Sequence, residues 1–191
     1  MYHITEVSEV GMPIAPKNIT TKFVTNCGAI VRDNVPINYR DWKVKPTNKY
    51  MVPNTQKDLL WNDVLKHFTL REDIDVNLVK SWTLSKMATQ FQNWKKKLST
   101  NFIKKNLTPN WDTYPKLKNH WKSFVEYKKS EYHAKKSAQG KKSASKKGEY
   151  NHHLGRGGYA VAIPKWRKME EDLLTKGIVS AVFDWHDQSK N

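Results

Sequence analysis

The side chains best suited to chemistry in this sequence are lysines, which occur as four adjacent pairs between residues 128 and 147. A lysine ammonium is a compact, hydrated cation that contacts phosphate as a point charge. Repeated pairs of this kind are suited to holding a polyanion, and nothing in their arrangement is suited to cutting one. The residues predicted to contact phosphate are Lys118, Lys122, Lys129, Lys135, Lys136, Lys141, Lys142, Lys146, Lys147, His152, His153 and Arg156.

A glycine-rich stretch follows the lysine pairs, with the sequence His-His-Leu-Gly-Arg-Gly-Gly-Tyr over residues 152–159. It lacks the Gly-Lys-Ser/Thr ending of a nucleotide-binding loop. It is expected to form a tight turn that offers Arg156 and main-chain N–H groups to a phosphate, with a purely structural turn as the equal alternative. The two histidines, taken with His133 or Cys27, match no zinc-binding spacing. We therefore predict neither a metal nor a cofactor.

Carboxylates suitable for catalysis are scarce. Glu72, Asp73 and Asp75 lie close together, but they lack the ligand spacing and the glycine of a calcium loop, and Asp75 is as easily a helix N-cap. Metal-dependent cleavage of a nucleic-acid strand requires carboxylates that hold two metal ions, and no such constellation can be singled out. Cys27 is expected to be a small buried hydrophobic residue, because no basic partner for a reactive thiol is evident. The sequence thus predicts a protein that is not an enzyme.

The positive charge is concentrated in one segment. The net charge is +16, and residues 80–149 contain 18 lysines against four acidic residues, whereas the segments on either side are nearly balanced. A concentrated block of charge creates a local field that recruits phosphate or acidic partners. DNA is the favoured partner, and an acidic protein is the alternative. No run of about 18 apolar residues is present, so no membrane span is expected. The single cysteine favours a reducing compartment, and we expect an intracellular protein.

Helical periodicity dominates the chain. Apolar residues recur at three- and four-residue steps over residues 17–32, although Gly28 leaves a strand through 29–31 as a competitor. A second helix is expected after Asn54 as its cap, a third over 76–106, a fourth after Thr113, and a short fifth from Pro164 to Gly177. The fourth is expected to carry Leu117, Trp121, Phe124, Val125 and Tyr132 on one side and Lys118, Lys122, Lys129 and Lys136 on an adjacent side.

The predicted fold class is mostly α: a compact bundle of about five helices with a Trp-rich core, plus a flexible basic arm. We divide the chain into a loose N-terminal lead-in (1–15), a helical core domain (16–134), a basic arm with a Gly-rich turn (135–163), and a C-terminal helix and tail (164–191). The segment after His133 has no apolar partner, so it is expected to be frayed helix or disordered arm.

Several short motifs, taken in order, resemble the plant transposase-associated domain of the Ptta/En/Spm (CACTA-like) family. Their order and spacing carry the resemblance, which spans roughly residues 11–170. They are Phe23 with Cys27-Gly28-Ala29-Ile30-Val31-Arg32, Val35-Pro36-Ile37, Trp42, Leu60-Trp61 with Val64 and His67-Phe68, Trp94-Lys95-Lys96-Lys97-Leu98, Trp121-Lys122-Ser123-Phe124-Val125 with Ser130, and the stretch from His152 to Tyr159. The chain is also similar, more weakly, to the Trp-rich helices of trihelix and Myb-like domains.

The resemblance implies a transposon-derived plant protein of the nucleus that binds DNA without a catalytic half of its own. This chain departs from the family pattern in the more basic Arg156-Gly157-Gly158 and in the denser lysine arm, which puts any shared sequence preference in doubt. The alternative is a protein-interaction module whose aromatic seam binds a partner helix and whose lysines bind an acidic protein. The lysine pairs also match a nuclear import signal.

Overall fold

The fold is mostly helical, in a computed structural model that describes residues 1–43, 50–147 and 158–176. Six α-helices and four short strands lie in the described residues. The helices are α1 (Lys17–Asn34), α2 (Asn54–Leu65), α3 (Val76–Asn101), α4 (Lys118–Lys129), α5 (Glu131–Lys147) and α6 (Gly158–Thr175). The strands are β1 (Tyr2–Ile4), β2 (Glu6–Val7), β3 (Pro13–Ala15) and β4 (Phe68–Leu70). None of the described helices combines the length and apolar content needed to cross a bilayer. The mostly α prediction is confirmed.

The first 15 residues are ordered, so the prediction of a loose lead-in is wrong. β1 pairs in parallel with β4, and β2 pairs antiparallel with β3. Ile4 is fully buried in the core. Gly11 takes a positive φ of 80°, and a Cβ there would collide with the carbonyl oxygen of Leu78. The segment lacks periodicity because its strands are two or three residues long and their partner β4 lies far along the chain.

The first hydrophobic cluster joins α1 and α3. Phe23, Cys27 and Val31 of α1 are buried in the same cluster as Met87 and Phe91 of α3. Residues 29–31 are helical, so the strand alternative for them is wrong. Phe23, Cys27 and Val31 are spaced four residues apart, which places them on one face of a helix that turns through about 100° per residue. Burial of that face accounts for a stable α1 despite Gly28 in its interior.

The start of α2 differs from the sequence prediction. Asn54 is the first residue of the helix, and its N-cap is Pro53, which makes no side-chain capping bond. Leu60, Trp61 and Val64 are buried, whereas Leu59 is 58% exposed. By contrast, the prediction of Asp75 as a cap is confirmed. Its carboxylate accepts hydrogen bonds from the backbone N–H groups of Asn77 and Leu78 at the start of α3.

The second hydrophobic cluster joins the end of α3 to α4. Ile37, Leu98, Leu117, Trp121 and Phe124 are its buried members. The partly buried residues packed against them include Phe102 and Trp111, whose rings both meet that of Trp121, and Trp94, whose ring meets that of Tyr114. The predicted Trp-rich core therefore consists of two clusters with different tryptophans. Trp61 is buried in the first and Trp121 in the second.

The chain divides into two compact units, Met1–Lys135 and Lys136–Asn191, and the division falls within α5. In the second unit, α6 begins at Gly158, before the predicted start at Pro164. Proline lacks an amide hydrogen, which removes one hydrogen bond from the helix interior without ending this helix. Gly177, the predicted stop, lies outside the described residues.

Candidate nucleic-acid interface

Helix α4 is held to the rest of the first unit by its apolar side. Leu117, in a 3-10 turn that Pro115 begins, is buried, as are Trp121 and Phe124. The ring of Trp121 meets that of Phe102 edge-on, at a centroid distance of 6.1 Å. Burying these rings stabilises the docking of α4 by area and by ring geometry. The aromatic seam is thus occupied within the chain.

One flank of α4 carries exposed lysines. Lys118, Lys122 and Lys129 are all exposed, as predicted, and their spacing places them within about 40° of one another around the helix axis. The flank lies roughly a quarter turn from the row of Leu117, Trp121 and Phe124. None of the four ion pairs in the described part of the chain involves these lysines. Their charge therefore faces solvent without a carboxylate partner.

Ser130 separates α4 from α5, so the continuous lysine edge predicted from Lys118 to Lys136 is wrong. Ser130 has an extended backbone, with φ −68° and ψ 149°. Its hydroxyl donates to the carbonyl oxygen of Tyr127 at 2.7 Å and accepts from the backbone N–H of His133 at 3.3 Å. One side chain thereby closes α4 and caps α5. Tyr132, predicted to join the apolar side, is 61% exposed as a result.

Four lysines of helix α5 face solvent at different angles around the helix axis. Its 17 residues include six lysines and one acidic residue, Glu131. Lys135, Lys136, Lys141 and Lys142 are exposed, and Lys146 and Lys147 lie in the last turn of the helix. Lys135 forms an ion pair with Glu131 at 2.8 Å, with both side chains more than three-quarters exposed, so solvent screens the pair and a phosphate can compete for the lysine.

The predicted site residues His152, His153 and Arg156 lie outside the described residues. The expected turn around them therefore stays a prediction.

Several lysines of the basic segment bind groups inside the first unit. Lys95 is 2% exposed, and its Nζ donates to the carbonyl oxygens of Tyr39 (2.6 Å) and Arg40 (3.3 Å). Lys116 Nζ donates to the carbonyl oxygen of Asp33 at 3.0 Å. Lys128 Nζ lies 3.1 Å from Nε2 of His133. These amines hold loops and helix ends in place.

The predicted site residues did not include two exposed lysine pairs, one near the end of α3 and one in the 3-10 turn Ile103–Lys105 that follows it. Lys96, Lys97, Lys104 and Lys105 are exposed. Phe102, which lies between the two pairs, packs on Trp121 of α4. The end of α3 therefore adjoins α4 and adds cations to the first unit. Adjacent lysine pairs were the signal that could have identified them, since the same signal singled out the lysines of α5.

An open groove of about 340 Å³ lies beside α4 in the first unit. Trp94 and Tyr114 line it, with ring centroids 5.9 Å apart, together with Arg32, Asp33 and Lys116. The guanidinium of Arg32 lies 5.9 Å from the centroid of Trp94. The groove thus places cations next to aromatic faces, but these rings pack mainly on each other and Lys116 is bonded to Asp33.

The groups considered for catalysis have structural roles. Burial raises the pKa of the Cys27 thiol to about 12, which keeps it protonated and unreactive at neutral pH. Arg71 contacts both carboxylate oxygens of Asp73, at 2.5 and 2.8 Å, and this hydrogen bonding lowers the pKa of Asp73. Asp75 caps α3. Within the ranges that the structure describes, no group of three or more His, Cys, Asp or Glu side chains is placed to hold a metal ion.

Comparison of the chain with models of known protein families, with curated proteins and with solved structures finds no match.

Proposed function

We propose that this protein is a non-catalytic, transposon-derived DNA-binding protein of the plant nucleus that contacts phosphates through the lysines of α4 and α5. The observation that carries the proposal is the exposure of these lysines in a segment with almost no acidic residues. Five of these lysines are exposed and take part in none of the ion pairs of the described residues: Lys118, Lys122, Lys129, Lys141 and Lys142. A duplex, with about one negative charge per 1.7 Å of axis, is a partner of matching charge density.

The two helices support different parts of such binding. α4 is docked by buried aromatic residues, so its lysine flank is a fixed surface. α5 carries six lysines and is about 25 Å long at 1.5 Å per residue. Lysine pairs make phosphate contacts that position a protein without reading sequence, and base readout more often uses arginine. We therefore expect modest sequence preference and a strong dependence on salt.

The structure also bears on the alternative of a protein-interaction module. The aromatic seam that would bind a partner helix is already filled, since Trp121 and Phe124 are buried in the second cluster. The remaining form of the alternative is an acidic protein that binds the same lysines. Transposon origin and nuclear location rest on the family resemblance and on the lysine pairs, which would serve in import as well as in DNA binding.

The test is a salt titration of duplex binding with two variants of equal charge. In the first, Lys136, Lys141 and Lys142 of α5 are replaced by glutamine. In the second, Lys17, Lys22 and Lys43, all exposed and outside the basic segment, are replaced by glutamine. We expect the first to weaken binding to every duplex and to lower the slope of log K against log salt by up to about 2.7, at about 0.9 per contact. The second should leave the slope close to that of the wild type.

Equal losses in the two variants would contradict the proposal, because they would show that only total charge matters. Absence of duplex binding at low salt would also end it. Polyglutamate that binds in place of DNA, with the same dependence on the α5 lysines, would favour the acidic-protein alternative. A supercoiled plasmid incubated with the protein and Mg²⁺ or Mn²⁺ should remain supercoiled. Metal-dependent nicking activity that co-purifies with the protein would overturn the proposal that the protein is non-catalytic.

A further inference from the structure

Helix α6 exposes a row of apolar side chains. Ile163, Met169, Leu173 and Leu174 are each more than a third exposed, and Met169 reaches 60%. At about 100° per residue, these four side chains lie within an arc of about 140° around the helix axis, and an apolar face of that kind predicts burial against another surface.

The charges of α6 are segregated along its length. Three cations, Lys165, Arg167 and Lys168, come first, and three acidic residues, at positions 170–172, follow directly. A single helix prefers the opposite order, because its N-terminus attracts anions and its C-terminus attracts cations. No ion pair joins these groups among the described side chains, so all six charges are available to a partner.

We propose that α6 pairs antiparallel with α6 of a second copy of this chain. In that arrangement the basic half of each helix lies opposite the acidic half of the other, and the apolar rows meet between them. A parallel arrangement would place like charges together. The antiparallel pair has two-fold symmetry and closes as a dimer. Charge patterns that attract in one orientation and repel in the other set the orientation of paired helices.

The size of the helix bounds the strength of the pairing. α6 has 18 residues and a length of about 27 Å, so the contact is small and the dimer is expected at micromolar concentrations rather than below. Pairing would bring two copies of α5 into one particle. If the lysines of α5 bind DNA as proposed, two linked copies would bind one duplex more tightly than a single copy does. Only that consequence depends on the proposed function.

A membrane surface is the competing occupant of an amphipathic helix. Interfacial helices combine an apolar face with a lysine- and arginine-rich polar face, and anionic lipids attract them. The three consecutive acidic residues of α6 oppose such binding, whereas in the paired helices they are the complement of the cations. The observations therefore favour a second copy.

The experiment is charge reversal with complementation, followed by sedimentation equilibrium in the absence of nucleic acid. One variant carries Lys165→Glu, Arg167→Glu and Lys168→Glu, and the other carries Glu170→Lys, Glu171→Lys and Asp172→Lys. Each alone should raise the dimer dissociation constant at least about tenfold, because every attractive pair becomes repulsive. An equimolar mixture of the two should recover the dimer. Lys17→Glu with Lys22→Glu and Lys43→Glu, a control that reverses the same number of charges outside α6, should leave the dimer dissociation constant unchanged.

Orientation is tested with a single cysteine. In a Cys27→Ala background, Lys165→Cys should not form a disulfide between copies, because opposing the basic and acidic halves puts the two-fold axis near Met169 and separates the two positions by about 12 Å along the helix axis. Rapid disulfide formation would show parallel helices and overturn the orientation.

Three other results would overturn the pairing: a wild-type protein that stays monomeric at several hundred micromolar, a dimer that both reversals leave intact, or a mixture that stays monomeric. A monomer that binds phosphatidylserine vesicles through α6 would assign the face to a membrane instead. None of these readouts involves DNA, so failure here is separate from failure of DNA binding.

Discussion

The lysines of α3 and those of α5 look alike in the sequence and have different roles in the structure. Lys95 in α3 is buried and donates to two main-chain carbonyl oxygens, whereas Lys141 in α5 is exposed. Both stand in lysine runs with few acidic residues nearby. The difference shows that a run of positive charge identifies a basic segment but not which amines face a ligand.

The two helices also differ in what stabilises them. α3 buries Val79, Met87 and Phe91 in the first cluster and Leu98 in the second. α5 has no buried residue among those whose exposure is described, and its ion pair between Lys135 and Glu131 is exposed. An isolated helix of about this length is marginal in water. We therefore expect α3 to unfold only with the first unit, and α5 to gain helix content when a polyanion neutralises its lysines.

The largest test of this contrast is Trp121→Ala. Trp121 is 9% exposed and is packed by three aromatic rings. Its removal should lower the free energy of unfolding of the first unit by about 3–5 kcal/mol, because large-to-small changes in a core lose burial and leave a cavity. Urea denaturation followed by tryptophan fluorescence measures the loss. The three-lysine variant of α5 should lose less than about 0.5 kcal/mol. Similar losses in both proteins would abolish the distinction between the two regions.

A second test compares two adjacent lysines of α3. Lys95→Met keeps the aliphatic stem but leaves the carbonyl oxygens of Tyr39 and Arg40 without the amine, which should cost about 1–3 kcal/mol of stability. Lys96→Met, at the exposed neighbour, is the matched control and should change stability by no more than about 0.5 kcal/mol. Chemical denaturation of both proteins in one buffer makes the comparison. If Lys95→Met is as stable as Lys96→Met, then Lys95 does not hold the loop.

The smallest test compares two helical glycines. Gly140 of α5 has no atom within 4 Å of an added Cβ, so Gly140→Ala should raise helix content and stabilise that helix locally by about 1 kcal/mol. Gly28 of α1 is the control, because an alanine Cβ there would lie 3.2 Å from Nε2 of Gln90, whose amide donates to the carbonyl oxygen of Val24. Gly28→Ala should therefore give less than the full propensity gain. Far-UV circular dichroism of both variants measures the change in helix content. An unchanged signal for Gly140→Ala would show that α5 is already fully helical.

Local pattern predicted much of the fold. The periodic segment 17–32 corresponds to α1. The periodic segment 76–106 corresponds to α3 and the 3-10 turn after it, and Asp75 is the N-cap of α3 as the sequence suggested. Cys27 is buried, as its place in the apolar stripe of α1 indicated. These features depend on neighbours within a turn or two of helix, which the sequence places directly.

Features that depend on distant partners were not predicted. β1 is stabilised by pairing with β4, and neither strand is long enough to show alternation. At Asn54 the sequence offered a good capping residue, but the helix begins one residue earlier because the fixed φ of Pro53 suits the N-cap position. The α4–α5 boundary was missed because Ser130 is compatible with a helix interior as well as with a cap.

The candidate site was predicted in part. The exposure of Lys118, Lys122 and Lys129 follows from helical spacing relative to the apolar row, and the structure confirms it. The grouping of Lys136 with them was wrong, because it assumed one helix where Ser130 divides two. The functional role of these lysines stays a prediction.

The sequence by itself determined where the positive charge is concentrated and which segments favour helix, since charge belongs to the residue and helical periodicity is local. Only the tertiary structure decided which lysines remain available. The backbone carbonyls of Tyr39 and Arg40 bind the amine of Lys95, although more than fifty positions separate them along the chain. A buried carbonyl requires a donor from whatever element packs against it, and that element is chosen by packing across the whole unit.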